Sequence, residues 1–156
     1  MILVVGSGGM LGATLLASLQ SSDFVTMGVK RGDLDFKSTT TISRYLTQYS
    51  VTTVFFCLAY TDVQEAEARI YECFEANLVL PAIWSEVCRS HGVTMVYFST
   101  DFIFDGRKRV YQPNDKAWPL QTYGMSKLAG EISVIDALIF RVSWLWGDKG
   151  YPGSFV

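Results

Sequence analysis

The sequence predicts a doubly wound parallel α/β sheet with helices on both faces. Three observations carry that prediction. The N-terminal run Ile2-Leu3-Val4-Val5 ends in a cluster of glycines, four further short β-branched or aromatic runs recur along the chain, and amphipathic stretches separate them. Short buried runs alternating with helical spacing are the pattern of parallel strands joined by right-handed crossovers.

Taken in order, the first strand is followed by a helix over residues 10–20, where Leu11, Leu15, Leu16 and Leu19 recur at helical spacing. Residues 24–29 form a candidate second strand. Residues 40–49 form a second helix with Ile42, Tyr45, Leu46 and Tyr49 on one face. Residues 51–58 are β-branched and aromatic, as a strand buried on both sides requires. Residues 62–91 read as helix in two pieces, because Pro81 is best tolerated in a first turn and Gly92 suits a C-cap. A fourth strand over 93–98, a helix over 121–134 and a fifth strand over 137–142 complete the alternation. Trp84, Val87 and Cys88 mark the core face of the helix that precedes the fourth strand.

The bulk properties narrow the function classes. The 156 residues suffice for one domain with a proper core. Hydrophobic residues make up 49% and charged residues 18%, which excludes a disordered chain. Thirteen basic and fifteen acidic residues leave a net charge of −2, too little field to recruit nucleic acid or an anionic membrane. Cys57, Cys73 and Cys88 lack metal-ligand spacing and read as small core residues of a reducing compartment. The N-terminus carries no positive leader, and its apolar run is too short for a signal peptide or a span, so a cytoplasmic protein is expected.

Gly6, Gly9 and Gly12 form Gly-x-x-Gly-x-x-Gly directly after the first strand, with Gly8 adding freedom. A dinucleotide diphosphate approaches the backbone closely at a helix N-terminus, where free N–H groups and the helix dipole favour negative charge and a Cβ would obstruct. Gly12 lets the helix pack tightly on the strand. At the end of the second strand, where an acid often holds the ribose hydroxyls, this chain has Lys30 and Arg31. Basic side chains there suit a 2′-phosphate, which favours NADPH over NADH.

Tyr123-Gly124-Met125-Ser126-Lys127 places a phenol and an ammonium four residues apart near a helix start, on one face. A neighbouring ammonium stabilises a phenolate and so favours proton exchange near neutral pH. Ser99-Thr100-Asp101 end the fourth strand, where doubly wound sheets place ligand-binding groups. Thr100 is therefore expected to hydrogen-bond a carbonyl oxygen beside Tyr123. Arg107, Lys108 and Arg109 follow the turn signal Asp105-Gly106 and read as a solvated tip. His91, the single histidine, reads as a surface or capping residue, and Trp144 and Trp146 as packing residues.

Five stretches in order resemble the dTDP-4-dehydrorhamnose reductase family of extended short-chain dehydrogenases. They are residues 6–12, Ala59-Tyr60-Thr61-Asp62-Val63 with Ala66-Glu67, FSTDFIFDG at 98–106, YGMSKLAGE at 123–131, and RVSWLWG at 141–147. The resemblance implies a Rossmann-type NAD(P)-binding domain over residues 1–156, with the family's C-terminal substrate domain absent. It implies a catalytic set of Thr100, Tyr123 and Lys127. It also implies cofactor contacts from Gly9, Met10 and Leu11, from Asp35 and Phe36, from Leu58, Ala59 and Tyr60, and from Tyr123 and Lys127 themselves. The expected reaction is reduction of the C4 ketone of a dTDP-linked 6-deoxyhexulose by NADPH, with NADH as the other candidate donor. The expected partners are that nucleotide sugar and a second copy in a homodimer, with no nucleic acid and no membrane. Where the family commonly has an asparagine followed by alanines, this chain reads Phe55-Phe56-Cys57-Leu58. Two other readings of the same motifs are a non-catalytic NAD(P)-binding regulatory subunit and a nucleotide-sugar epimerase or dehydratase.

Overall fold

The computed structural model describes residues 1–145. Five strands, β1 (Ile2–Val5), β2 (Thr26–Val29), β3 (Thr53–Phe56), β4 (Thr94–Thr100) and β5 (Ala137–Val142), form one parallel sheet in the order β2-β1-β3-β4-β5. Helix α1 (Met10–Ser21) follows β1 and α2 (Thr39–Gln48) follows β2. Between β3 and β4 come α3 (Ile70–Phe74) and α4 (Leu80–Ser90), and α5 (Thr122–Ser133) leads into β5.

The sheet grows one way from β1 to β2 and the other way from β3 to β5. Right-handed crossovers therefore put α1 on one face and α2, α4 and α5 on the other. The packing agrees: α1 lies on β1 and β2, whereas α2 rests against α4 and α4 against α5. The larger core fills the three-helix face, where Leu3, Val5, Val54, Phe56, Met95 and Tyr97 of the sheet meet Ile42, Leu46, Trp84 and Val87. Trp84 is fully buried there, with the rings of Phe36 and Phe56 at 5.9 and 6.0 Å.

Strand alternation sends Val4, Phe55, Val96, Phe98, Leu138 and Phe140 to the opposite face. Phe55, Phe98 and Phe140 stand side by side across three strands, with ring centroids 6.4 and 6.2 Å apart. At the β5 end this face stays open, and Phe140 is 53% exposed.

The strand predictions hold with shifted ends. β2 starts at Thr26, because α1 closes through Asp23 in the left-handed region and the first β2-side bond runs from the Ile2 N–H to the Val25 carbonyl. The two-piece expectation for 62–91 is corrected. A single 3₁₀ turn (Glu65–Glu67) is followed by a helical run from Ile70 to Ser90 that widens into a π turn over Glu75–Val79. Pro81 does not divide this run. Pro81 has no N–H for the carbonyl four residues back, that of Asn77, and this carbonyl accepts the Tyr97 hydroxyl from β4 at 3.0 Å.

Gly130 of α5 lies against this bond, and a Cβ there would collide with both the Asn77 carbonyl oxygen and the Tyr97 hydroxyl. Gly130→Ala is expected to lower stability by about 2 kcal/mol through overpacking, read as a shift in the urea midpoint. An unchanged midpoint would mean that α5 can retreat from β4 freely.

Candidate active site

The strand order reverses between β1 and β3, and doubly wound sheets bind ligands outside the carboxyl ends of their strands at such a point. A cleft of about 570 Å³ opens there. Its walls come from the N-terminus of α1 (Gly9, Met10, Leu11), the segment after β3 (Cys57, Leu58, Ala59 and residues 61–63), the end of β4 (residues 98–102), Tyr123 and Lys127 of α5, and residues 142–145 after β5.

The glycine turn is shaped by close backbone contact. Gly6 has φ +87°, and a Cβ on it would come within 2.7 Å of the Leu58 amide nitrogen. Gly12 presses on the Gly6 carbonyl, which fixes the entry of α1 against the β1 turn. Gly9 is the N-cap residue of α1, and no side chain caps this helix. Its first-turn N–H groups therefore face the cleft, a positive helix end suited to an anion.

Thr100 ends β4, and its hydroxyl donates to the Asp101 carboxylate at 3.3 Å and accepts from the Phe102 N–H at 3.2 Å, in the same cleft lining as the Tyr123 phenol. The Tyr123 ring meets Phe102 edge-on at 5.9 Å. Burial pushes the Tyr123 phenol above its ordinary value, and the Thr100 hydroxyl only partly offsets this. Lys127 is 2% exposed, donates to the Phe98 carbonyl at 2.6 Å and lies 4.2 Å from the Tyr97 ring centroid. Burial lowers its pKa to about 7, against the pull of Glu131 one turn further along α5. The lowered Tyr123 pKa expected from Lys127 is not found, because burial raises it. The spacing does put both side chains in one cleft, but the ammonium turns to β4 and its own charge is disfavoured there.

Two polar clusters support these groups. The Asn77 amide, wholly buried, accepts from the Tyr60 N–H at 2.9 Å and donates to the Tyr60 carbonyl at 3.0 Å and to the Ser126 hydroxyl at 2.9 Å. On the other side, Arg141 of β5 grips the nearly buried Glu131 carboxylate at 2.8 and 2.9 Å and donates to the Pro113 carbonyl at 2.6 Å.

The remaining predicted residues divide. Lys30 and Arg31 are exposed at the end of β2, and the Lys30 Cβ is 3.4 Å from where Gly8 would carry one. Neither forms an ion pair among the described residues. Asp35 accepts from the Lys37 N–H at 2.9 Å and remains exposed. Phe36 points away from the cleft into the core against Trp84, because its ring completes the three-helix face. Tyr60 gives its backbone to Asn77 and its hydroxyl to Glu65 at 2.8 Å, so Ala59 and Thr61, rather than Tyr60, line the cleft.

Cys73 and Cys88 are core residues as expected, but Cys57 lines the cleft, where burial pushes its thiol up to about 12. Residues 107–109 are exposed, as a solvated tip should be. His91 caps α4 and reaches the Ser43 hydroxyl at 2.8 Å. Trp144 is 61% exposed and lines the cleft. Trp146 and Gly147 lie outside the described residues. Among the described residues no cluster could hold a metal ion and no helix is long and apolar enough to cross a membrane. The sequence reading missed Asn77, whose only signal is an asparagine inside an apolar helical run.

Known proteins resemble this chain in sequence and fold. The model of the RmlD substrate binding domain family matches residues 1–156. The chain is 34% identical over 154 residues to the dTDP-4-keto-6-deoxy-D-glucose reductase of Streptomyces niveus, covering 95% of this chain and 54% of that protein. It is 31% identical to a probable low-salt glycan biosynthesis reductase of Haloferax volcanii, covering 98% and 56%. Among solved structures, the dTDP-4-dehydrorhamnose reductase of Bacillus anthracis in complex with NADP superposes with a TM-score of 0.90 at 26% identity, over 99% of this chain and 56% of that one. The chain thus spans about half the length of the relatives it matches.

The low Lys127 pKa sets a pH dependence. Between about 7 and the ordinary lysine value of 10.5, the unfolded chain binds a proton that the folded chain does not. Its burial penalty is therefore full below the folded pKa and fades as pH rises toward 10.5, so stability climbs across that window. Lys127→Met should flatten this climb in urea denaturation compared at about pH 7 and about pH 10. Parallel pH curves for variant and wild type would contradict the burial of the ammonium.

Proposed function

Because the chain belongs to the RmlD substrate binding domain family, we propose that it is the NAD(P)-binding unit of a reductase acting on the C4 ketone of a dTDP-linked 6-deoxy-keto-hexose. The observation that carries this reading is the convergence of Thr100, Tyr123 and Lys127 on one cleft that also holds the uncapped N-terminus of α1. Relatives named as dTDP-sugar reductases support the substrate class.

The residues present fit a dinucleotide. The free first-turn N–H groups of α1 would hold its diphosphate, with Gly9 bringing no side chain between backbone and ligand. Lys30 and Arg31, free of ion pairs among the described residues, would take a 2′-phosphate, which favours NADPH. Leu58 and Ala59 line the same cleft as the N-terminus of α1. When bound, NADPH supplies the hydride.

The chain's own groups manage the proton and the geometry. Thr100 orients the substrate carbonyl through a hydroxyl already fixed by the Phe102 N–H. Tyr123, kept protonated by burial, donates its phenolic proton to the oxygen that becomes the C4 hydroxyl. Lys127, with a pKa of about 7, can then return a proton to Tyr123 or hold a ribose hydroxyl at neutral pH. The Asn77 amide holds the backbone after β3 and α5 together while this occurs. The part that grips the nucleotide sugar is assigned to the further length that the relatives carry.

Calorimetric titration with NADPH and NADH, followed by a dTDP-4-keto-6-deoxyhexose, tests the reading. NADPH is expected to bind about tenfold more tightly, the worth of one charge-assisted contact. Replacing Lys30 and Arg31 with alanine should erase the difference, and a preference for NADH would overturn the 2′-phosphate assignment. Tyr123→Phe should abolish hydride transfer while leaving NADPH affinity within about twofold. Undiminished turnover in that variant would refute the role of Tyr123.

A further inference from the structure

Residues 61–67 form a tight turn with two sides. Thr61, Asp62 and Val63 line the cleft. The Asp62 carboxylate accepts from the Glu65 N–H at 2.8 Å and its carbonyl from the Ala66 N–H at 3.1 Å, while Ala66 is wholly buried. Four residues beyond the wall, Glu67 leaves the turn to reach α5. One carboxylate oxygen accepts from the Thr122 N–H at 2.8 Å and the other from the Thr122 hydroxyl at 2.7 Å.

Thr122 immediately precedes Tyr123. Its N–H is one of the orphan donors at the start of α5, and Gln121 meets another by accepting from the Gly124 N–H at 2.6 Å. The same turn of helix is pressed from below, since a Cβ on Gly124 would collide with the Phe102 carbonyl. Glu67 thus grips the turn from one side while the backbone after β4 supports it from the other. The two hydrogen bonds and the negative charge at a helix N-terminus all act in one direction, holding α5 at the cleft.

We infer that Glu67 is a positioning residue: its two-pronged hold on Thr122 keeps the Tyr123 phenol in register with Thr100 and ties it to the cleft wall at residues 61–63. The inference rests on the reductase reading for its kinetic consequence and on geometry alone for its structural one. A ligand that packs on the wall then stabilises the placement of Tyr123 without touching Glu67. The groups that act on the phenol are Thr100, Asp101 and Cys73, with Thr100 opposing the upward push of burial.

The test follows the phenol directly. Protein carrying a carbon-13 label at the tyrosine ring carbon bonded to oxygen is titrated by NMR, and the Tyr123 signal is assigned by its loss in Tyr123→Phe. In Glu67→Ala the Tyr123 titration should move down toward the ordinary tyrosine value as the ring gains solvent. Glu67→Gln, whose amide oxygen still accepts from the Thr122 N–H, should restore most of the wild-type position. Kinetically, Glu67→Ala should lower kcat by about tenfold, with KM for NADPH within about twofold, as expected for a small misplacement of a proton donor.

An unmoved Tyr123 titration in folded Glu67→Ala overturns the inference, as does Glu67→Gln behaving like the alanine variant. If Glu67→Ala fails to fold, Thr122→Val removes only the hydroxyl prong and should shift the titration in the same direction by a smaller amount; no shift overturns the inference equally. A shifted phenol in a protein that does not reduce the sugar would leave the positioning role standing and defeat the reductase reading.

Discussion

The Tyr97 hydroxyl crosses the core to the Asn77 carbonyl, and the position of the cleft walls depends on what that bond permits. A buried carbonyl without a donor is costly, and Pro81 withholds the one that an unbroken α-helix would supply. With the carbonyl satisfied from β4, the helical run can widen at Glu75–Val79 and continue through the proline. The widened turn carries the Asn77 side chain to where it meets both the backbone after β3 and Ser126 of α5. The backbone after β3 and helix α5 are thereby fastened to one amide. Gly130 belongs to the same arrangement, because only a residue without a Cβ lets α5 lie against this bond.

Electrostatics near Lys127 follow from its enclosure. Its ammonium has one carbonyl and one aromatic face for company, with Glu131 a turn away and already engaged by Arg141. A carboxylate committed to a guanidinium gives less support to a second cation, so desolvation prevails and the lysine titrates near neutrality. Tyr123 is held protonated by the same exclusion of water. A protonated phenol and a lysine that titrates near neutrality therefore share one cleft.

Much of this was legible in the residues. The strand, glycine turn and helix at residues 2–21 could be read because a β-branched run followed by glycines leaves few alternatives. Thr100, Tyr123 and Lys127 could be gathered into one cleft because strand ends and helical spacing dictate which side chains converge. What escaped depends on rotamers and on distant partners. Spacing places Lys127 on the face of Tyr123 but cannot say that its ammonium turns to β4. The resemblance implied Phe36 as a cofactor contact, yet a large ring beside Trp84 gains more from burial in the core. The roles of Asn77 and Glu67 could not be read locally, since Ser126 and Thr122, which they hold, lie 49 and 55 residues away.

The aromatic ladder of Phe55, Phe98 and Phe140 has a thermodynamic consequence. Unfolding raises the heat capacity of a protein because it brings apolar surface into water, and surface already wet adds nothing. A sheet with one packed face and a partly hydrated other face, its Phe140 ring half exposed, has less new surface to reveal than its length suggests. Its free energy of unfolding should trace a shallow arc with temperature. Covering that face would deepen the arc, so the curvature of a calorimetric stability curve reports how much of the ladder is dry.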